Sequence, residues 1–147
     1  MDLKSLFLDY FERDLQTNLL WANHLEDNSD LVDIEDIRLF SHVLNAHYIW
    51  NCRLFKVEEE SNMWDELSPV HFERLAKDNF QKTTEYIEFS DSFSELHSYV
   101  EYDDKHEKLT SDILMHILFH AAHHRGQLTK SFKSKGYVLP NEKLIVK

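Results

Sequence analysis

The chain has 147 residues, the size of one domain, and 27 Asp and Glu against 16 Lys and Arg give it a formal net charge of −11. This excess of negative charge repels phosphate, which argues against direct binding to nucleic acid or to anionic membranes. Hydrophobic residues make up 42% of the chain and aromatic residues 13%, enough for a packed core and unlike an intrinsically disordered sequence.

The first half of the chain predicts two helices. From Asp2 to about Glu26 neither glycine nor proline interrupts apolar residues that recur at helical spacing. Asp27-Asn28-Ser29-Asp30 predicts a loop. Helix 2 is expected from near Asp33, whose side chain can cap free amides, to about Val57. The acidic stretch Glu58-Glu59-Glu60-Ser61-Asn62 then predicts a solvated connection.

The second half predicts two more helices and an irregular crossover between them. Ser68-Pro69 is a good start for helix 3, which should end near Phe89. The alternation of β-forming residues from Leu96 to Tyr102 indicates a short two-stranded hairpin that turns at Asp103-Asp104-Lys105.

Helix 4 is expected from Asp112 to about Lys135, with Thr110 or Ser111 as its cap. Gly136 is a natural stop. Only two glycines and two prolines occur in the whole chain, which favours long helices over a many-stranded sheet. Four amphipathic helices with one long connection between the third and fourth predict an all-α four-helix bundle.

The chain also carries features expected of a soluble cytoplasmic protein that forms one domain over residues 1–147. Its single cysteine, Cys52, has no internal disulfide partner, which is typical of a reducing compartment. The first residues lack the basic and then apolar pattern of a secretory signal. The longest uncharged run, Leu39 to Cys52, is shorter than the roughly 20 apolar residues of a membrane span.

Histidines are plentiful, at ten, and four of them lie within nine residues of helix 4. Residues three or four apart share one helix face, so two imidazoles at that spacing can bind one metal ion. The pairs that satisfy this spacing are His116/His120, His120/His123 and His120/His124. Burying several histidines without partners is costly, and a metal ion would remove that cost.

Helix 2 offers a third ligand, because bundle metal sites take side chains from facing helices. His42 and His47 are five residues apart, roughly 140° around the helix, so at most one of them should point into a shared site. The spacing leaves both choices open.

Several neighbouring residues have simpler interpretations. Trp21 and Trp50 are expected in the core, and Cys52 is expected as a small buried hydrophobic residue. Glycine inside a helix costs roughly 1 kcal/mol relative to alanine, so Gly126 suggests close packing against a neighbouring helix. Arg125 and Gln127 either lie in solvent or orient a ligand.

The segment from His120 through His123-His124-Arg125-Gly126-Gln127, followed by Gly136 and Pro140, resembles the C-terminal signature of the DinB/YfiT-like superfamily. The stretch from His42 to Trp50 is similar to the second-helix motif of the same superfamily, and the resemblance covers nearly the whole chain. One position departs from the pattern, because Phe119 stands where asparagine is frequent in the family.

The resemblance implies a four-helix bundle that holds a divalent metal ion, such as Zn, Ni, Fe or Mn, through His42, His120 and His124. It implies a metal-dependent thiol S-transferase that acts with a low-molecular-weight thiol, and a homodimer, because relatives are often dimeric. The alternatives are a metal-dependent hydrolase or a non-catalytic, stress-related metal-binding module. The sequence contains no HExxH motif and names no catalytic base.

Overall fold

Residues 2–140 are described by a computed structural model, and within them the chain forms four long α-helices and a two-stranded antiparallel sheet. The elements are α1 (Leu3–Asp27), α2 (Ile34–Phe55), a 3₁₀ turn (Pro69–His71), α3 (Phe72–Phe89), β1 (Leu96–Glu101), β2 (Asp104–Leu109) and α4 (Thr110–Lys135). The fold is therefore mostly helical, and the predicted hairpin between the third and fourth helices is confirmed. None of the helices in this range is long and apolar enough to cross a lipid bilayer.

The helices pack through their apolar faces, and α2 lies against both α3 and α4. Helix α1 packs mainly on α3 and more briefly on α4. One core cluster includes Trp21, Phe40 and Phe132, and a second includes Phe11 and Trp50. The core positions predicted for both tryptophans are confirmed, and the packing of α2 on α4 brings the two histidine-rich helices together.

The capping hydrogen bond predicted for the start of α2 is absent. Asp33 does precede the helix, but its side chain makes no capping hydrogen bond. Its carboxylate instead accepts from Lys135 Nζ at 2.9 Å and from the Tyr137 hydroxyl at 3.3 Å. The ammonium of Lys135, at the end of α4, carries a full positive charge that the free amides lack, which favours the ion pair with the Asp33 carboxylate.

The other predicted caps also differ from the structure. Ser68 precedes the 3₁₀ turn without a side-chain capping bond. Leu109, rather than Thr110 or Ser111, occupies the N-cap position of α4. Thr110 is the first residue of the helix and is buried, with its hydroxyl 2.8 Å from His97 Nε2. Tertiary contacts have recruited polar side chains that the sequence pattern assigns to capping.

The hairpin turns one residue earlier than predicted. Glu101 pairs with Asp104, so that Tyr102 and Asp103 form a two-residue loop. Both have positive φ angles, 53° and 65°, as expected of the type I′ turn that suits the twist of paired strands.

Two buried polar contacts join the helices. Arg125 on α4 donates to Asp14 Oδ1 and Asn18 Oδ1 on α1, each at 2.7 Å. His47 on α2 lies with its Nε2 atom 2.7 Å from the Thr83 hydroxyl on α3. Polar groups taken out of water must find such partners, and these contacts fix how the helices sit against each other.

The expectation that Gly126 packs closely against a neighbouring helix is wrong. A β-carbon built at this position would meet nothing within 4 Å, and the residue is exposed. Gly136 is different, because its φ angle of 72° places it in the left-handed region that ends α4.

Gly126→Ala should therefore stabilise the protein by about 0.5–1 kcal/mol, because alanine loses less backbone entropy in a helix and has free space here. Gly136→Ala should destabilise it by about 1 kcal/mol, because of its positive φ angle. Urea unfolding of both variants checks the pair. A loss of stability in Gly126→Ala would show that another surface packs on this face of α4.

Burial lowers the pKa of His47 to about 3, with a smaller contribution from the nearby Arg125 charge. The unfolded chain binds a proton here below about pH 6.5 that the folded chain does not bind. The neutral His47 ring therefore makes its full contribution to the stability of the folded chain above about pH 6.5. This contribution is lost toward pH 3 at about 1.4 kcal/mol per pH unit.

His47→Gln removes this titration while keeping a hydrogen-bond donor. Between pH 6 and pH 4 the free energy of unfolding of the variant should fall less steeply than that of the wild type, by up to about 1.4 kcal/mol per pH unit. Urea unfolding at several pH values measures the slope, and the exposed His71→Gln is the control. Equal slopes in His47→Gln and wild type would contradict the assignment.

Candidate metal centre

The contact between α2 and α4 brings three histidine rings together. His120 and His124 lie one turn apart on α4, with ring centroids separated by 4.4 Å. His42 on α2 faces both, with centroid distances of 4.7 Å to His120 and 4.8 Å to His124. These are the three residues that the family resemblance implies as ligands.

The rings meet through their Nε2 atoms. His120 Nε2 lies 3.0 Å from His42 Nε2 and 3.1 Å from His124 Nε2. One ligand atom from each residue lies within 4.8 Å of the others, and among residues 2–140 no aspartate, glutamate or cysteine joins this group. The cluster is thus made of imidazole nitrogens alone.

Hydrogen bonds on the far side of two rings fix which nitrogen carries the proton. His42 Nδ1 donates to the Met63 carbonyl at 2.9 Å. His124 Nδ1 donates to Gln127 Oε1 at 2.7 Å. A neutral imidazole has one N–H, so both rings present an Nε2 lone pair to the cluster. Gln127 therefore orients His124, one of the two roles that the sequence left open.

The residues present fit a divalent metal ion. The N–H of a neutral His120 can donate to only one of the two facing lone pairs, and the other lone pair is then left without a donor. A cation at the centre satisfies all three nitrogens. The spacing is also suitable, because two ligand nitrogens on a tetrahedral zinc ion lie about 3.4 Å apart.

Burial keeps His42 and His120 in their neutral, ligating form. Burial, with smaller contributions from the neighbouring histidines, lowers the pKa of His120 to about 3. Burial also lowers the pKa of His42, although its bond to the Met63 carbonyl acts in the opposite direction. Metal binding to these two rings therefore displaces no proton at neutral pH, which favours binding.

Sequence reasoning missed two contributors from the connection between α2 and α3, residues 56–68. One is the Met63 carbonyl, and the other is Trp64, whose indole lies parallel to the His42 ring at a centroid distance of 3.7 Å. No periodicity marks them, because the connection is irregular and a backbone carbonyl carries no sequence signal. The expected solvated connection, residues 58–62, is exposed over most of its length, and the two residues that follow it form one wall of the site.

The other histidines of the two segments lie outside the three-nitrogen cluster. His47 points to Thr83 in the interior, and the exposed His123 contacts Gln127. His116 is half-buried one turn before His120, stacks against its ring and meets Trp50 edge-on. The structure thus separates His42 from His47, and His124 from His123, where spacing alone leaves the choice open.

Two further residues take structural rather than ligating positions. Arg125 turns away from the cluster toward Asp14 and Asn18, so its role is an interhelical ion pair. Cys52 is 4% exposed, and burial raises the pKa of its thiol, which confirms the prediction of a small buried hydrophobic residue. Phe119, the position that departs from the family pattern, is 64% exposed and points away from the core.

Among the comparisons with known proteins, only the comparison with family profiles found a match. No curated protein and no solved structure matches the chain. The profile of the DinB family matches residues 7–144, which includes both histidine segments and nearly the whole sequence. The chain therefore belongs to the DinB family.

Proposed function

We propose that His42, His120 and His124 hold one divalent metal ion, and that the protein is a metal-dependent thiol S-transferase acting with a low-molecular-weight thiol. The observation that carries the proposal is the convergence of three Nε2 atoms with the protons of two rings directed outward. Zinc, nickel, iron and manganese are the candidate ions, because imidazole ligands suit several of them and occupancy depends on availability.

The donor set supports a catalytic rather than a structural site. Structural zinc sites are closed by four protein ligands, whereas catalytic sites use three and leave a position open. Here three imidazoles converge, and no fourth side chain in the described range joins them. When bound, a divalent ion supplies Lewis acidity and lowers the pKa of a thiol or water molecule that reaches it.

A thiol is the nucleophile that this site has to assist least. A free thiol has a pKa near 8.5, whereas that of bulk water is 15.7, so a thiol is deprotonated at neutral pH with a smaller shift. The thiolate sulfur would form a bond to an electrophilic carbon of the second substrate. The leaving group would depart with its electron pair, and the thiol proton would pass to solvent.

The chain's own residues would hold the histidine rings in the orientation that the ion requires. The Met63 carbonyl and Gln127 hold two rings in place, so the site is formed before a substrate arrives. We also propose that the protein folds as one four-helix bundle domain. The homodimer implied by the family resemblance stays a prediction.

Removing a ligand should remove the metal. In protein purified without a histidine tag, we expect near-stoichiometric divalent metal by elemental analysis, and loss of it in His42→Ala and His124→Ala. His123→Ala is the matched control, because this exposed histidine sits beside His124 on the same helix. His47→Gln is the corresponding control for α2.

Both controls should keep the metal content of the wild type. Metal content unchanged in His42→Ala and His124→Ala would refute the ligand assignment. Loss of metal in His123→Ala but not in His124→Ala would move the site to the other helix face.

An assay that compares a thiol with water as the nucleophile tests which reaction the protein catalyses. Zinc-loaded protein should accelerate thioether formation between small thiols, such as cysteine or glutathione, and a bimane electrophile. His42→Ala should reduce the rate to that of the uncatalysed reaction, because thiol activation depends on the ion. Fluorescence of the thioether product measures the rate.

Hydrolysis of activated esters and amides without thiol is the parallel assay. Metal-dependent hydrolysis without thiol transfer would establish the hydrolase alternative. Stoichiometric metal with neither activity on broad panels would favour the non-catalytic metal-binding module.

A further inference from the structure

Trp64 is an exposed aromatic residue that lies directly against the three-histidine cluster. Its indole is 63% exposed, yet it stacks on the His42 ring with an interplanar angle of 1° and a centroid distance of 3.7 Å. We infer that Trp64 is a positioning residue for the metal ligand, holding the His42 imidazole in the plane that directs Nε2 at the ion. This inference rests on the proposed function.

The stack supplies a restraint that the hydrogen bond alone does not. The terminal torsion of a histidine side chain is broad, so the ring can tilt at little cost. The bond from Nδ1 to the Met63 carbonyl fixes one atom of the ring. The parallel indole limits tilting of the whole plane. Met63 and Trp64 are consecutive, so one short stretch of backbone controls both the direction and the plane of the imidazole.

The connection that carries Trp64 is anchored by other contacts. Asn45 Nδ2 donates to the Asp65 carbonyl at 2.8 Å. The Leu67 amide donates to Ser41 Oγ at 3.1 Å. These bonds tie the segment after Trp64 to α2 and are independent of the indole. Removal of the indole should therefore leave the backbone and the Met63 carbonyl in place, so that a variant tests the stack itself.

Metal binding and stacking should strengthen each other. An imidazole that coordinates a cation is poorer in electrons, and the electron-rich face of an indole attracts such a group, as it attracts a cation. Linkage requires that, if the ion strengthens the stack, the stack strengthens binding of the ion to the same degree. Trp64 is thus expected to raise the affinity of the site for metal rather than the stability of the metal-free fold.

The test measures Zn²⁺ affinity by competition with a chromogenic chelator. Trp64→Ala should weaken binding about tenfold, within the range typical for residues that orient metal ligands. Trp64→Phe should recover most of the affinity, because a phenyl ring can stack in the same place. Phe119→Ala is the matched control, since this aromatic residue is 64% exposed and directly precedes His120. Its affinity should equal that of the wild type.

Tryptophan fluorescence gives a second readout that needs no enzymatic activity. It also does not require Trp64→Ala to fold. Trp21 and Trp50 are buried, at 0% and 3% exposure, so Trp64 supplies the solvent-accessible emission. Addition of Cu²⁺ should quench this accessible component at one equivalent in the wild type. Trp64→Phe should lack the component, and His42→Ala should keep it but lose the quenching.

The outcomes separate this inference from the proposed function. If the wild type binds neither Zn²⁺ nor any of the other candidate ions, the proposed function fails and the inference fails with it. If His42→Ala loses Zn²⁺ while Trp64→Ala binds it within about twofold of the wild type, the metal site stands and the positioning role of Trp64 is overturned. Accessible emission that Cu²⁺ leaves unquenched in a metal-binding wild type would also overturn it.

Discussion

The hydrogen bonds from His42 Nδ1 to the Met63 carbonyl and from His124 Nδ1 to Gln127 Oε1 place the protons of both rings outside the cluster. The two Nε2 lone pairs are consequently directed inward, on either side of His120 Nε2. Lone pairs brought together away from water are costly unless a donor or a cation meets them. The arrangement of the site depends on this constraint, because it leaves three imidazoles in a geometry that could hold a metal ion.

How much of the site the sequence predicts differs between the two helices. On α4 helical geometry places His120 on one face with each of His116, His123 and His124, so the spacing predicts a histidine pair but leaves the partner of His120 open. On α2 the five-residue interval between His42 and His47 indicates only that at most one of the two residues points into a shared site. The choice of His42 came from the family resemblance. The structure gives its physical basis, because the face that carries His42 meets α4 and the Met63 carbonyl, while His47 points to Thr83.

The remaining features depend on contacts between segments distant in the chain. Helix existence and approximate length follow from apolar periodicity, and the hairpin follows from alternation, because both patterns are local. Asp33 occupies the N-cap position of α2, but its side chain makes no capping bond, because its partner Lys135 lies at the far end of the sequence. Trp64 lies 22 positions from His42 in an irregular connection, so no periodic rule relates the two residues. Long-range pairing of this kind appears only when the helices have been packed.

The charge around the site bears on which external ligand a bound ion would take. Three neutral imidazoles leave the full charge of a divalent ion uncompensated by protein ligands. Arg125, next to His124 in the sequence, would add to that charge, but Asp14 at 2.7 Å neutralises it on the side of α1. Although the chain has a net charge of −11, no carboxylate of the described residues enters the cluster. Under the proposed function the compensating negative charge would come from an external ligand, and an anion such as a thiolate would supply it where a neutral ligand would not.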